Sequence, residues 1–165
     1  MKQKSTFIML IMIGAILLAA CASATSTTPT SNTSSTVSDF TGTKINLNTA
    51  TSDELLATIP GFGSRMVREF QEYRPYISIQ QFRKEIGKYV DTAQVAEYEK
   101  YVYVPIAIND SDSATLQQIA GLDATEAETL IAGRPYASTD AFLTKLSTFV
   151  STDELEKAKS YLGAN

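Results

Sequence analysis

Apolar residues recur at three- and four-residue intervals through the middle of the chain. Leu55, Ile59, Phe62, Met66 and Phe70 form one series, and Phe82, Ile86, Val95, Tyr98 and Val102 continue it. This spacing puts one inward stripe on each of several short helices, and those residues are expected to form the core. Polar start signals mark where the helices begin. Thr51 with Glu54, Ser78 with Gln81, and Asp91 with Gln94 have the spacing of an N-cap and its N3 residue. Asp123 with Glu126 and Ser151 with Glu154 repeat that spacing further on. The first two helices are predicted over Thr51–Thr58 and Ser64–Tyr73. No long alternating run is present, so strand content is expected to be near zero. The predicted class is all-α.

The pattern is written twice. At an offset of sixty, Ile59 matches Ile119, Gly61 matches Gly121, and Arg74-Pro75-Tyr76 matches Arg134-Pro135-Tyr136. Ser78, Phe82, Val90, Thr92 and Tyr101 likewise match Ser138, Phe142, Val150, Thr152 and Tyr161, giving ten identities over 44 positions. Upstream, Asn48 pairs with Asn109, so the first copy carries one extra residue near its start. The identities cluster at turns and core sites, which points to duplication. Residues 44–104 and 105–165 are therefore expected to be two modules of about four short helices each. The Arg-Pro-Tyr turns end the second helix of each copy, because proline disfavours helical geometry in the residue before it. Arg74 and Arg134 are expected to lie against carbonyls at those helix ends, and Tyr76 and Tyr136 to pack beneath the turns.

Between the first two helices stands Ile59-Pro60-Gly61-Phe62-Gly63. A Gly-x-Gly hairpin lets the backbone turn at positive φ and leaves bare amides at the next helix start, where a phosphate can sit. The second copy reads Ile119-Ala120-Gly121-Leu122-Asp123, with a carboxylate in place of the second glycine. Asp123 is expected to cap its own helix, using amides that would otherwise hold phosphate, and its charge repels DNA.

Composition narrows the chemistry. The chain has no His and one Cys, which removes His-based acid–base catalysis, Cys-His nucleophiles and ordinary zinc sites. Its acidic residues lie at helix starts such as Asp53-Glu54, where the helix dipole favours them. The chain is read as a non-enzyme without a cofactor or metal. Residues 1–20 begin with Lys2 and Lys4 and continue with an apolar run from Phe7 to Ala20, the pattern of a secretory signal. Residues 21–43 follow as a tether, since 14 of the 22 residues Ala22–Thr43 are Ser or Thr. Such a stretch buries too little apolar area to offset its ordering entropy, and its mean reach is roughly 25 Å. Without Lys2 and Lys4 the chain has 12 basic and 18 acidic groups, net −6. A strong nucleic-acid binder would usually be basic. The excess is uneven: residues 44–104 carry 8 of each sign, whereas residues 105–165 carry 4 basic and 9 acidic groups.

Two resemblances add to this reading. Leu18-Ala19-Ala20-Cys21 resembles a bacterial lipobox. That implies cleavage before Cys21, lipid of the palmitate class on its sulfur and amine, and an extracytoplasmic protein anchored to the cell membrane. Asn46-Leu47-Asn48-Thr49-Ala50, Asp53-Glu54-Leu55 and Ile59-Pro60-Gly61-Phe62-Gly63 resemble the helix-hairpin-helix domain of the ComEA competence family. The second copy, with Ile108-Asn109 and Ala132-Gly133-Arg134-Pro135-Tyr136, looks like small exported relatives of it. The resemblance covers residues 45–162. It implies two tandem modules of paired hairpins and sequence-independent binding of duplex DNA during uptake. The same fold occurs in an extrinsic photosystem II subunit, which is no DNA receptor, so fold alone does not fix function. Carried onto this chain, the DNA contacts are Gly61, Phe62, Gly63, Ser64, Arg65 and Arg68, with Ser64 capping the second helix and Arg65 as a charged clamp. Lys84 and Lys88 form a second contact near Ile86-Gly87-Lys88-Tyr89, where one glycine stands for the usual two. The alternative is an envelope scaffold or protein-interaction module, with the acidic second copy facing a protein partner.

Overall fold

The computed structural model describes residues 42–163. The expected signal segment, Cys21 and all but the last two residues of the tether lie outside the described residues. Eight helices and two very short strands follow one another in chain order. In the first copy these are β1 (Ile45–Asn46), α1 (Ser52–Thr58), α2 (Ser64–Glu72), α3 (Ile79–Ile86), α4 (Thr92–Tyr98) and β2 (Val102–Tyr103). In the second they are α5 (Ser113–Leu116), α6 (Ala124–Ala132), α7 (Thr139–Leu146) and α8 (Thr152–Lys159). The protein is thus mainly helical.

The caps read from sequence form as written. Thr51, Ser78, Asp91, Asp123 and Ser151 each accept the backbone N–H three residues on, and Thr51, Asp123 and Ser151 complete reciprocal capping boxes. The bonds hold the carboxyls of Glu54 and Glu154 below the usual carboxylate range, through the backbone N–H of Thr51 and the hydroxyl of Ser151 first. Asp112 and Ser138 supply two further caps.

Each copy encloses its own core. The first gathers Leu55, Ile59, Phe62, Phe70, Phe82 and Tyr98, and the second Ile119, Leu122, Leu130, Phe142 and Ala158. Strand content among the described residues is near zero, as expected, and is confined to two strands of two residues each. β1 and β2 pair in parallel, Ile45 opposite Val102 and Asn46 opposite Tyr103. The second copy repeats the closure as a single bridge, Ile106 opposite Leu162. Two residues per strand leave no alternating pattern to read, yet they bring the start of each copy to its end.

The Arg-Pro-Tyr turns lock onto that same start. Asn48 donates to the Tyr76 carbonyl at 2.9 Å and accepts from the Tyr76 N–H at 2.8 Å. Asn109 holds Tyr136 in the same way, at 3.1 and 2.8 Å. The two arginines do not cap their own helices. Arg74 donates to the Ala50 carbonyl at 2.7 Å, and Arg134 donates to the carbonyls of Ile108 and Ser111 at 2.9 and 2.6 Å. These carbonyls belong to the opening segment of each copy, brought beneath the turn by the closure.

The tyrosines differ in one respect. Tyr136 donates to the Leu130 carbonyl at 2.8 Å. Its hydroxyl reaches there past Gly133, where an added β-carbon would lie 2.8 Å from it. The first copy has Tyr73 at the position of Gly133, and the buried Tyr76 hydroxyl has no hydrogen-bond partner among the described residues. Burial pushes the Tyr76 phenol far above its ordinary range. Tyr136→Phe should therefore lower stability by about 1 kcal/mol, while Tyr76→Phe should leave it unchanged or raise it. Urea unfolding of the two variants checks this. Equal losses would show that the two hydroxyls are held alike.

Several bonds join the copies. The Ile79 N–H donates to the buried Thr115 hydroxyl at 2.9 Å. Gln118 and Val104 exchange two bonds, at 2.8 and 3.1 Å. Tyr103 donates to the Ser160 carbonyl at 2.8 Å and lies against Tyr161, with ring centroids 4.6 Å apart.

Candidate nucleic-acid interface

The two hairpins share one backbone and differ in what surrounds it. Gly61 has φ +69° and Gly121 φ +81°, the only positive-φ glycines among the described residues. In each, the residue that follows donates to an isoleucine carbonyl: Phe62 to Ile59 and Leu122 to Ile119, both at 3.2 Å. The glycine lets the chain reverse tightly enough for the next residue to turn inward.

Phe62 consequently belongs to the core. Its ring stands edge-on to Phe70 at 4.7 Å and to Tyr98 at 5.2 Å. Its N–H is engaged in the turn, so its part in any DNA contact is to fix the hairpin. Ser64 also departs from expectation. Gly63, in an extended conformation, is the N-cap of α2, and Ser64 is already the first helical residue. Burial of Phe62 sets this register, leaving one residue between it and the helix.

Having no side chain, Gly63 provides no cap bond, and α2 is the one helix among the eight that starts without one. A β-carbon built on Gly61 or Gly63 would meet nothing within 4 Å, so the hairpin face is open. Arg65 and Arg68 are exposed on the first turns of α2. Ion pairs among the described residues join Arg83 to Glu99, Lys88 to Glu85, Lys100 to Glu97 and Lys159 to Glu156. Arg65, Arg68 and Lys84 take part in none of them.

The second expected contact is split. Lys84 is exposed, but Lys88 pairs with Glu85 and holds its ammonium 4.9 Å from the Tyr73 ring centroid. Tyr73 in turn shares a 2.7 Å hydrogen bond with Tyr89. Lys88 therefore sits at the far end of α2 from Gly63, a separation of about 13 Å along a helix of this length. The two groups do not converge on one phosphate. The turn at Gly87 runs at φ −60° and Ser147 matches it at φ −61°, so neither turn needs glycine for its dihedrals.

The second hairpin is closed by its own carboxylates. Asp123 accepts from the Glu126 N–H at 2.8 Å, and Glu126 accepts from the Asp123 N–H at 2.9 Å. A third carboxylate, missed from sequence because it arrives from α8, covers the turn itself. A β-carbon on Gly121 would lie 2.8 Å from Glu154 Oε2. The position of Glu154 in the first copy is taken by the neutral Gln94. One hairpin thus presents open amides beside two free arginines, and the other presents negative charge. Comparison of the chain with protein-family models, with curated proteins and with solved structures gave no match.

Proposed function

We propose that residues 44–104 and 105–165 form two tandem helix-hairpin-helix modules, and that the first binds duplex DNA weakly and without sequence preference. The uncapped start of α2 carries this reading. Its first-turn amides and positive dipole end favour an anion, and Arg65 and Arg68 stand beside it without an ion pair among the described residues. Nothing in this arrangement reads a base edge, so the contacts are to the phosphate backbone. The signal-like start and Cys21 support a lipid-anchored lipoprotein outside the cytoplasmic membrane, in a role such as DNA uptake.

Fluorescence anisotropy of a labelled duplex, titrated with the chain at low and moderate salt, tests the reading. Two or three phosphate contacts give a log-affinity slope near −0.9 per contact against log salt. Arg65→Glu should weaken binding about tenfold or more, while Lys157→Glu, on the exposed face of α8, should leave it unchanged. Arg134 is no use as a control, since it holds two backbone carbonyls. Absence of binding at low salt overturns the proposal.

A second reading concerns the other copy. Asp123, Glu126 and Glu154 close its hairpin, and its charge is 4 basic against 9 acidic groups. This favours a scaffold or protein-binding role for residues 105–165. If duplex binding fails altogether, that role extends to the whole chain.

A further inference from the structure

The first turn of α4 differs from that of α8 in a way that bears on the hairpins. Ser151 and Glu154 at the start of α8 correspond to Asp91 and Gln94 at the start of α4. Each pair holds one carboxylate, so what differs is where it stands. Glu154 Oε2 accepts from the Ser151 N–H at 3.1 Å, and the same atom lies 2.8 Å from a β-carbon built on Gly121. Closing the capping box therefore aims this carboxylate at the hairpin. In the first copy the carboxylate belongs to the cap. Asp91 accepts from the Gln94 N–H at 2.8 Å and lines the groove between α3 and α4 with Arg83, Ala96 and Glu99.

Gln94 lies on another side of α4. It stands one turn before Tyr98, and residues four apart share a helix face. The Tyr98 ring meets Phe62, the middle residue of the hairpin, edge-on at 5.2 Å. That face of α4 thus looks onto the first hairpin, as α8 looks onto the second. The Gln94 side chain closes no capping box and makes no hydrogen bond among the described residues, and the space at Gly61 is empty within 4 Å. Glu97, the other carboxylate on this side of α4, pairs with Lys100.

On the reading that the first hairpin binds duplex DNA, we infer that Gln94 is a specificity-determining residue of that site. Its uncharged amide leaves the rim of the hairpin open to a backbone phosphate, which a carboxylate held as Glu154 is held would repel. Gln94→Glu tests this by duplex anisotropy and urea unfolding. Asp123 and Glu126 show that an Asp cap and a Glu at N3 close a box. The variant should therefore keep or gain stability while binding the duplex at least tenfold more weakly. Gln94→Lys should bind at least threefold more tightly, a change that unfolding cannot imitate. Ala96→Glu adds the same charge on the opposite side of α4, a helix about 10 Å across. It should stay within twofold of the unaltered chain at moderate salt, where exposed charges so far apart are largely screened. Duplex binding by the unaltered chain that Gln94→Glu leaves within twofold, an equal loss in Ala96→Glu, or weaker binding in Gln94→Lys would each overturn the inference and leave the DNA reading in place. Absence of duplex binding by the unaltered chain overturns both.

Discussion

Replacing Phe70 by Ala is expected to lower the unfolding free energy by about 4 kcal/mol. Phe70 is fully buried, and its ring stands edge-on to three others: Phe62 at 4.7 Å, Phe82 at 5.2 Å and Tyr98 at 5.4 Å. Truncating a buried phenylalanine costs about 3–5 kcal/mol through lost transfer energy and the remaining cavity. Edge-to-face pairs add about 0.5–1.5 kcal/mol each beyond area. The loss would be a large part of a total of about 5–15 kcal/mol for a domain. The second copy shows what the fold tolerates, since Leu122, Leu130 and Ala158 stand where the first has Phe62, Phe70 and Tyr98. Phe70→Leu should accordingly cost about 1–2 kcal/mol. Urea unfolding with an unchanged m-value measures both. A loss below 1 kcal/mol for Phe70→Ala would remove this ring from the centre of the core. The same ring braces Phe62 and so the hairpin, linking core packing to the position of the α2 amides.

What was legible in the sequence was local. A cap and its N3 partner are three residues apart, so Thr51, Ser78, Asp91, Asp123 and Ser151 could be read directly and are found as caps. The core stripe is equally local in origin: Leu55, Ile59, Phe70, Phe82, Ile86, Val95 and Val102 are all buried, and Met66 partly so. Contacts set by the path of the whole chain were not legible. Arg74 and Arg134 find carbonyls more than twenty residues upstream, because β1 and its bridge in the second copy fold the opening segment back under the turn. Ser64 has the chemistry of a cap, but it is the first residue of the helix, where its predicted span also begins, so the cap place falls to Gly63. At the second hairpin Asp123 was legible as a blocking group, while Glu154 was not, since α8 alone brings it over Gly121. Lys88 stands three residues from Glu85, a local pair, and only the Tyr73 ring beside it comes from the wider fold.

Gly63→Asp should weaken duplex binding at least tenfold while leaving the fold as stable or slightly more so. Gly63 has φ −108° and ψ 160°, an extended conformation open to any residue, and an added β-carbon meets nothing within 4 Å. Asp123 shows the outcome at the matching position, with φ −86° and ψ 175° and a carboxylate that accepts the Glu126 N–H. In the Gly63→Asp variant the carboxylate would take the Met66 N–H in the same way. An Asp cap in place of Gly is worth a few tenths of a kcal/mol, with a further 0.3–1 kcal/mol or so from the helix dipole. The same charge opposes phosphate. Two like charges about 4 Å apart repel by about 1 kcal/mol in bulk water and about 4 kcal/mol near a protein surface, and about 1.4 kcal/mol is a tenfold change in affinity. Opposite signs in stability and binding separate this effect from unfolding, which would lower both. Gly63→Ala, which adds a β-carbon without charge, should bind better than Gly63→Asp. The reverse change, Asp123→Gly, should lose stability and gain no binding, because Glu126 and Glu154 still stand at that hairpin. Duplex anisotropy and urea unfolding of the three variants decide the matter. Unaltered affinity in a folded Gly63→Asp variant would mean that DNA, if bound, does not use the α2 amides.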